Sequence, residues 1–313
     1  MNDPKVSIII PVYNGSNYVR EAIDSALGQT YSNLEVIVVN DGSNDENATR
    51  DIALSYGERI RYFEKENGGV SSALNLGIRE MTGEFFSWLS HDDKYEKDKI
   101  RNSVSYLKSF AEPENLIVMC SGYYINSASE KIRNMKMDFQ RDVVYDGKAV
   151  LKYLLTHGIL DACCLLIPRA AFEKCGYFDE KLRYNQDALM LYSLFGNGYS
   201  LAVEPEQHNV MYRLHANQTS KTRRDLLLRD SYRLSKIIAP LFASLSSKSS
   251  NYLRMFAIRQ ARANCMNAVN ESIEVGKRTR TLETVDLLYI WCWCVFGKLR
   301  DGLKKLYYKL CFR

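Results

Sequence analysis

Phe85-Phe86-Ser87-Trp88-Leu89-Ser90-His91-Asp92-Asp93 is an apolar run that stops in two adjacent carboxylates. A strand ending in two acids sets them at the rim of a sheet, where oxygen ligands can hold a hard divalent cation and leave positions open for phosphate. What precedes the run gives it weight. Val6-Ser7-Ile8-Ile9-Ile10 is almost continuously apolar and rich in β-branched residues, the pattern of a strand buried on both faces. Tyr18, Val19, Ala22, Ile23, Ala26 and Leu27 recur at helical spacing within 17–30. A second apolar run, Leu34 to Val39, breaks at Asn40-Asp41-Gly42-Ser43, and the capping-box spacing of Ser43 and Glu46 predicts a helix starting there. Arg61-Tyr62-Phe63 reads as a third strand before Asn67-Gly68-Gly69; Val70 to Met81 is helical in period, and Glu84 to Leu89 is the fourth strand. This alternation predicts an α/β fold with a mostly parallel sheet flanked by helices. Such sheets bind ligands beyond the carboxyl ends of their strands. Asn14, Asp41, Asn67 and Asp92-Asp93 all fall at such ends and are expected to share one crevice.

Composition narrows the classes. The chain has 313 residues and 46% hydrophobic content, enough for one large domain and a smaller appendage. We divide it at 222: an α/β domain over 1–222, with halves 1–110 and 111–222, and a helical region over 223–313. Eight cysteines show no paired Cys-x-x-Cys spacing, which argues against zinc and for reduced thiols in the cytoplasm. Met1-Asn2-Asp3-Pro4-Lys5 leads straight into the first strand and shows no secretory signal. Residues 298–313 carry six basic side chains against Asp301, a net +5 equal to the formal charge of the whole chain. A nucleic-acid binder would spread that charge over a folded face. The eleven uncharged residues Leu287 to Gly297 fall short of the roughly 20 needed to span a bilayer. With their tryptophans and the neighbouring lysines they suit a helix lying in the headgroup layer of an anionic membrane; packing in a homodimer is the competing expectation for 282–313.

Four ordered segments carry a family resemblance. Ser7-Ile8-Ile9-Ile10-Pro11-Val12-Tyr13-Asn14, Val39-Asn40-Asp41-Gly42-Ser43, Asn67-Gly68-Gly69-Val70-Ser71 with Asn75-Leu76-Gly77, and Leu89-Ser90-His91-Asp92-Asp93 resemble the motifs of family 2 glycosyltransferases. Gly176-Tyr177-Phe178-Asp179-Glu180 with Asn185-Gln186-Asp187, and Tyr212-Arg213-Leu214-His215 with Thr219-Ser220, are similar to its later motifs. The resemblance implies the GT-A fold, a UDP-sugar donor, Mn²⁺ or Mg²⁺, inversion at the anomeric carbon, and a glycan acceptor, often lipid-linked at the inner face of a bacterial membrane. It implies roles residue by residue. Asp187 is the expected catalytic base. Asp93 is expected to bind the metal, with His215 beside it, and Asp92 to contact ribose or the outer shell. Pro11, Tyr13 and Asn14 would wall the uracil, Asp41 would bind base or ribose, and Asn67 and Gly69 would line the donor loop. Arg213 would lie near the donor phosphates.

Each motif alone has an ordinary alternative. Asp41-Gly42-Ser43 reads equally as a turn before a helix, and Asp187 as an acid favoured by a helix N-terminus. His157 and His208 are read as structural. Two departures stand out: Ser90 and Gln186 occupy positions where the family often has acids. The Gln-x-x-Arg-Trp signature of processive relatives is missing, which favours single-sugar transfer. Two other classes compete. A sugar-1-phosphate nucleotidyltransferase would need a Gly-rich basic loop where Pro11-Val12-Tyr13-Asn14 stands. A catalytically silent sugar-nucleotide or membrane-binding protein is suggested only by Ser90 and Gln186.

Overall fold

A computed structural model describes residues 3–156, 160–216, 218, 224–246, 252–262, 266–279, 282, 287 and 290. The chain forms two compact units, residues 1–150 with 159–222 and residues 151–158 with 223–313.

In the first unit the apolar runs become parallel strands. β1 (Val6–Val12) is buried along its whole length. It pairs in parallel with β2 (Leu34–Asn40) on one side and β4 (Phe85–Trp88) on the other, while β3 (Arg61–Glu64) extends the sheet beyond β2. Helix α1 (Val19–Leu27) buries Val19, Ala22, Ile23 and Ala26, its predicted apolar stripe. Helix α3 (Val70–Glu80) follows the glycine loop and packs on β1 and β2.

α2 (Ala48–Leu54) begins later than the capping-box spacing predicts. Ser43 is used elsewhere: its N–H and hydroxyl both donate to Asn40 Oδ1, at 3.0 and 2.6 Å. The carboxylate of Asp45 takes over the helix start, accepting from the Thr49 N–H and hydroxyl.

The second half continues the same sheet. β5 (Lys94–Tyr95) is followed by α4 (Lys99–Leu107), β6 (Leu116–Ile125), β7 (Lys131–Asn134) and β8 (Val143–Tyr145). Then come α5 (Gly147–Thr156), β9 (Leu165–Pro168), α6 (Arg169–Cys175), α7 (Gln186–Gly196) and the long β10 (Ser200–Arg213). Strand order is β3-β2-β1-β4-β9-β6-β10-β5, with β7 on β6 and β8 on β10. β9 runs antiparallel to both β4 and β6. Its first residues therefore lie at the end where the parallel strands finish, which brings the preceding loop to the crevice.

The second unit contains α8 (Arg224–Leu245), α9 (Tyr252–Arg262) and α10 (Met266–Thr279). Phe242 and Phe256 are fully buried, with ring centroids 5.1 Å apart. Among the described residues no helix is long and apolar enough to cross a membrane. The tail expected to meet a membrane or a partner, 282–313, lies outside the described residues except for Leu282, Leu287 and Ile290.

Candidate active site

The loops after β1, β2 and β3 are fastened to one another. Asn14, at φ 48°, receives the Asn44 N–H on Oδ1 at 2.8 Å and donates Nδ2 to Asn44 Oδ1 at 2.7 Å. Its own N–H donates to Ser43 Oγ at 2.9 Å. Asn14 is thus first a buckle between two loops. Pro11 is buried within β1, whereas Tyr13 stands 44% exposed, the one of the three with a ring free to pack on a ligand.

Asp41 is buried, and its carboxylate organises the loop after β3. Oδ1 accepts from Lys65 Nζ and the Gly68 N–H, each at 2.9 Å, and Oδ2 accepts the Gly69 N–H at 2.6 Å. Asn67 Nδ2 donates to the Asp41 carbonyl at 2.9 Å. Gly42 is needed for this closeness: φ is +69°, and a Cβ there would fall 2.7 Å from the Asn67 nitrogen. Asp41, Asn67 and Gly69 therefore form one preassembled loop pair.

The two acids after β4 face opposite ways. Asp93 is 2% exposed. Its Oδ1 accepts the Arg213 N–H at 2.9 Å, and the Cys163 thiol approaches Oδ2 at 3.7 Å. Burial, aided by the charges of Asp92 and Asp161, pushes its carboxyl well above the ordinary range. Asp92 is partly open, and its Oδ2 lies 2.9 Å from His215 Nε2. Asp92 with His215 is the more open of the two positions, and Asp93, the expected metal ligand, is the more buried.

Arg213 ends β10. Its side chain is fully buried. Nε donates to the Asp92 carbonyl at 2.8 Å, Nη1 to the carbonyls of Asn126 and Ser127 at 3.2 and 3.1 Å, and Nη2 to Glu21 Oε2 at 3.0 Å. The guanidinium carbon stands 4.3 Å from the centroid of the Tyr18 ring. All three nitrogens are engaged, and the side chain has no exposed surface. It holds the acid pair in place, through its own N–H to Asp93 and its Nε to the Asp92 carbonyl.

Asp187 opens α7 after Asn185, which adopts φ 36°. It is partly buried, and its Oδ1 accepts the Ala188 N–H at 2.8 Å. Burial raises its carboxyl above the ordinary value despite that bond. Electrostatics join it to Asp161, a residue the sequence reading passed over. Burial pushes the Asp161 carboxyl up to about 6, against the Cys163 N–H bond that lowers it, with the charges of Asp187 and Asp92 adding to the rise. An acid immediately before the apolar run Cys163 to Ile167 is the mirror of the acids after β4. That signal could have found it, given an antiparallel strand there. His208 donates to or accepts from Ser121 Oγ at 2.8 Å and is structural; His157 lies outside the described residues.

Residues 7–176 match the family described as glycosyl transferase family 2. The chain belongs to that family. Membership makes it a transferase enzyme, and the sheet order described above is its GT-A framework. An uncharacterized glycosyltransferase of Rickettsia prowazekii (strain Madrid E) is 46% identical over 221 residues, covering 70% of this chain and 67% of its own length. The minor teichoic acid biosynthesis protein GgaB of Bacillus subtilis (strain 168) is 28% identical over 221 residues, which is 68% of this chain but 23% of GgaB. Among family structures, residues 1–349 of S. aureus TarS in complex with UDP-GlcNAc superpose with a TM-score of 0.71 at 17% identity, covering 95% of this chain and 92% of that one. At that identity the likeness concerns the fold.

Proposed function

We propose that this chain is an inverting, metal-dependent glycosyltransferase that moves one hexose or N-acetylhexosamine from a UDP-sugar to a lipid-linked glycan acceptor. Its setting would be synthesis of a bacterial surface polysaccharide, at the cytoplasmic face of the membrane. The similarity to GgaB supports the surface-glycan setting, and the TarS complex with UDP-GlcNAc supports a UDP-sugar donor. The observation that carries the reading is the Asp92–His215 pair, 2.9 Å apart at the crevice that also holds Asp187.

That pair suits Mn²⁺ or Mg²⁺. Among the described residues no three His, Cys, Asp or Glu side chains cluster as a metal site; Asp92 and His215 bring one carboxylate and one imidazole together. Hard cations take their remaining positions from phosphate oxygens and water, and imidazole favours Mn²⁺ over Mg²⁺. Asp92 and His215 would hold the ion, and Asp93, turned inward, would fix the backbone beneath them. When bound, the cation neutralises charge on the leaving diphosphate.

The chain's own residues do the rest. Tyr13 walls the base, and Asp41 with Asn67 presents the preassembled loop to the nucleoside. Asp187 accepts the proton of the acceptor hydroxyl as its oxygen attacks the anomeric carbon and the bond from that carbon to the diphosphate oxygen breaks. A partly buried carboxyl raised above its ordinary value is a stronger base than a solvated one, and such assistance is worth roughly 10²–10⁴ in rate. One displacement with one base inverts the centre.

Calorimetric titration with UDP, GDP and dTDP, with and without Mn²⁺, tests the donor and the ligand together. UDP binding that depends on Mn²⁺, is lost in Asp92→Asn and survives in a folded Asp93→Asn is the expected result. Loss of the metal dependence in Asp93→Asn alone would return the ligand role to Asp93.

A further inference from the structure

Arg213, expected near the donor phosphates, has a fully buried side chain. On the loop after β3 stands another cation, Lys65, which bonds Asp41 Oδ1 at 2.9 Å. The loop between α6 and α7 brings another. α3 fastens that loop to the nucleotide half through Asn75, which is 3% exposed. Asn75 Nδ2 donates to the Phe178 carbonyl and to Glu180 Oε1, each at 2.9 Å, and Asn75 Oδ1 accepts the Phe178 N–H at 3.0 Å. Ser71 Oγ adds a bond to the Leu182 carbonyl at 3.3 Å.

The next residue is Arg183, an exposed side chain whose guanidinium lies across Gly69. A Cβ built on Gly69 would fall 2.1 Å from Arg183 Nη1 and 3.0 Å from its guanidinium carbon. A side chain there would push this flexible guanidinium aside, and Gly69 also has φ +89°, where other residues are strained. The N–H of this same glycine is held by Asp41 at 2.6 Å. A planar guanidinium therefore stands over the donor loop, four residues before the expected base. Its fork of N–H groups matches phosphate oxygens in pairs, which a lysine ammonium does not.

We propose that Arg183, delivered by the Asn75-anchored loop, is the protein cation that binds the diphosphate of the nucleotide donor. The proposal rests on the UDP-sugar reading above. It makes one loop serve both substrates, with Arg183 on the donor and Asp187 on the acceptor, so that a bound donor holds the base in place.

Calorimetry with UDP, UMP and uridine, on wild type, Arg183→Ala, Arg183→Lys and Asn75→Ala, tests it. In Arg183→Ala, UDP should bind about tenfold or more weakly, the scale of a lost charge-assisted hydrogen bond, while uridine affinity stays unchanged. Arg183→Lys should fall between. Asn75→Ala, if folded, should repeat the UDP-selective loss without touching the guanidinium. Equal loss of UDP and uridine in Arg183→Ala, or loss of neither, overturns the assignment while leaving the UDP reading intact. No UDP binding by the wild type would remove both.

Discussion

Glu35 and Asp161 are carboxylates at opposite ends of one sheet, and the protein treats them in opposite ways. Glu35, at the start of β2, accepts from Ser7 Oγ at 2.6 Å, the Thr82 N–H and hydroxyl at 2.6 and 2.9 Å, the Gly83 N–H at 3.2 Å and Arg61 Nη1 at 3.0 Å. Burial would raise its carboxyl, but these donors outweigh burial and hold it at about 2. Asp161, at the crevice, has the Cys163 N–H at 3.0 Å and two neighbouring acids, and burial carries it up to about 6. Donors and depth of burial act together: Glu35 has many donors and is less deeply buried, and Asp161 has few and is more deeply buried. At the base of the sheet the carboxylate stitches strand ends together. Asp161 has fewer donors than Glu35, and its carboxyl is raised.

The strongest way to test that contrast is at the crevice. Asp187→Asn should reduce transfer by roughly 10²–10⁴ while UDP affinity stays near wild type. A variant that transfers at the normal rate would move the base role elsewhere, with Asp161 the next acid to try. The other end should answer in stability and not in rate. Glu35→Gln should cost about 1–3 kcal/mol at pH 7 with turnover of the folded fraction unchanged. Because the folded value lies below the ordinary 4.5, the wild-type advantage should be fully present above that pH and fade as pH falls toward 2. Chemical denaturation across pH 2–7 would show it; an advantage independent of pH would mean that packing, not the charge, is responsible.

Asp161→Asn should have the smallest effect, and the opposite sign. A carboxyl raised from 3.8 to about 6 lowers stability as pH climbs through that window, because the folded state resists losing the proton. The asparagine keeps an acceptor for the Cys163 N–H and removes the charge. It should gain about 1–2 kcal/mol at pH 7.5, a rise of a few degrees in Tm, and nothing below pH 4. A melting series in buffers from pH 3.5 to 8 would reveal the crossover, and a loss of Tm at every pH would show that the carboxylate is structural.

Much of the first half was legible because its strands are buried on both faces, and such strands announce themselves as apolar runs. β5, β7 and β8 were not, because each is only two to four residues long, and β7, Lys131-Ile132-Arg133-Asn134, is also exposed at every position. The crevice was legible as a place, since strand ends predict it, but roles within it were harder. Asp92 and Asp93 are neighbours in sequence and differ only in which way the turn points them. That direction is set by the Arg213 N–H from a strand 120 residues away. Arg213 poses a related difficulty: a guanidinium in a motif has the same letter whether it meets phosphate or fills the core. Ser43 shows the limit of local rules. Its spacing suited a cap, but Asn40 and Asn14 claim its polar groups first.

β10 spends fourteen residues alongside the ten of β6, and the surplus is absorbed by irregular pairing between Val203 and Val210. That stretch is pinned by Glu204, which accepts from Ser103 Oγ and from Asn209 Nδ2. Arg213 and His215 come just after it. Since alternate residues of a strand face opposite sides, removing a residue from 204–209 that the irregular pairing does not absorb would swap the sides of the strand residues after it and turn the core arginine outward. The chemistry of this enzyme therefore depends on a length as much as on identities: a one-codon deletion far from any ligand should be as damaging as replacing the base itself.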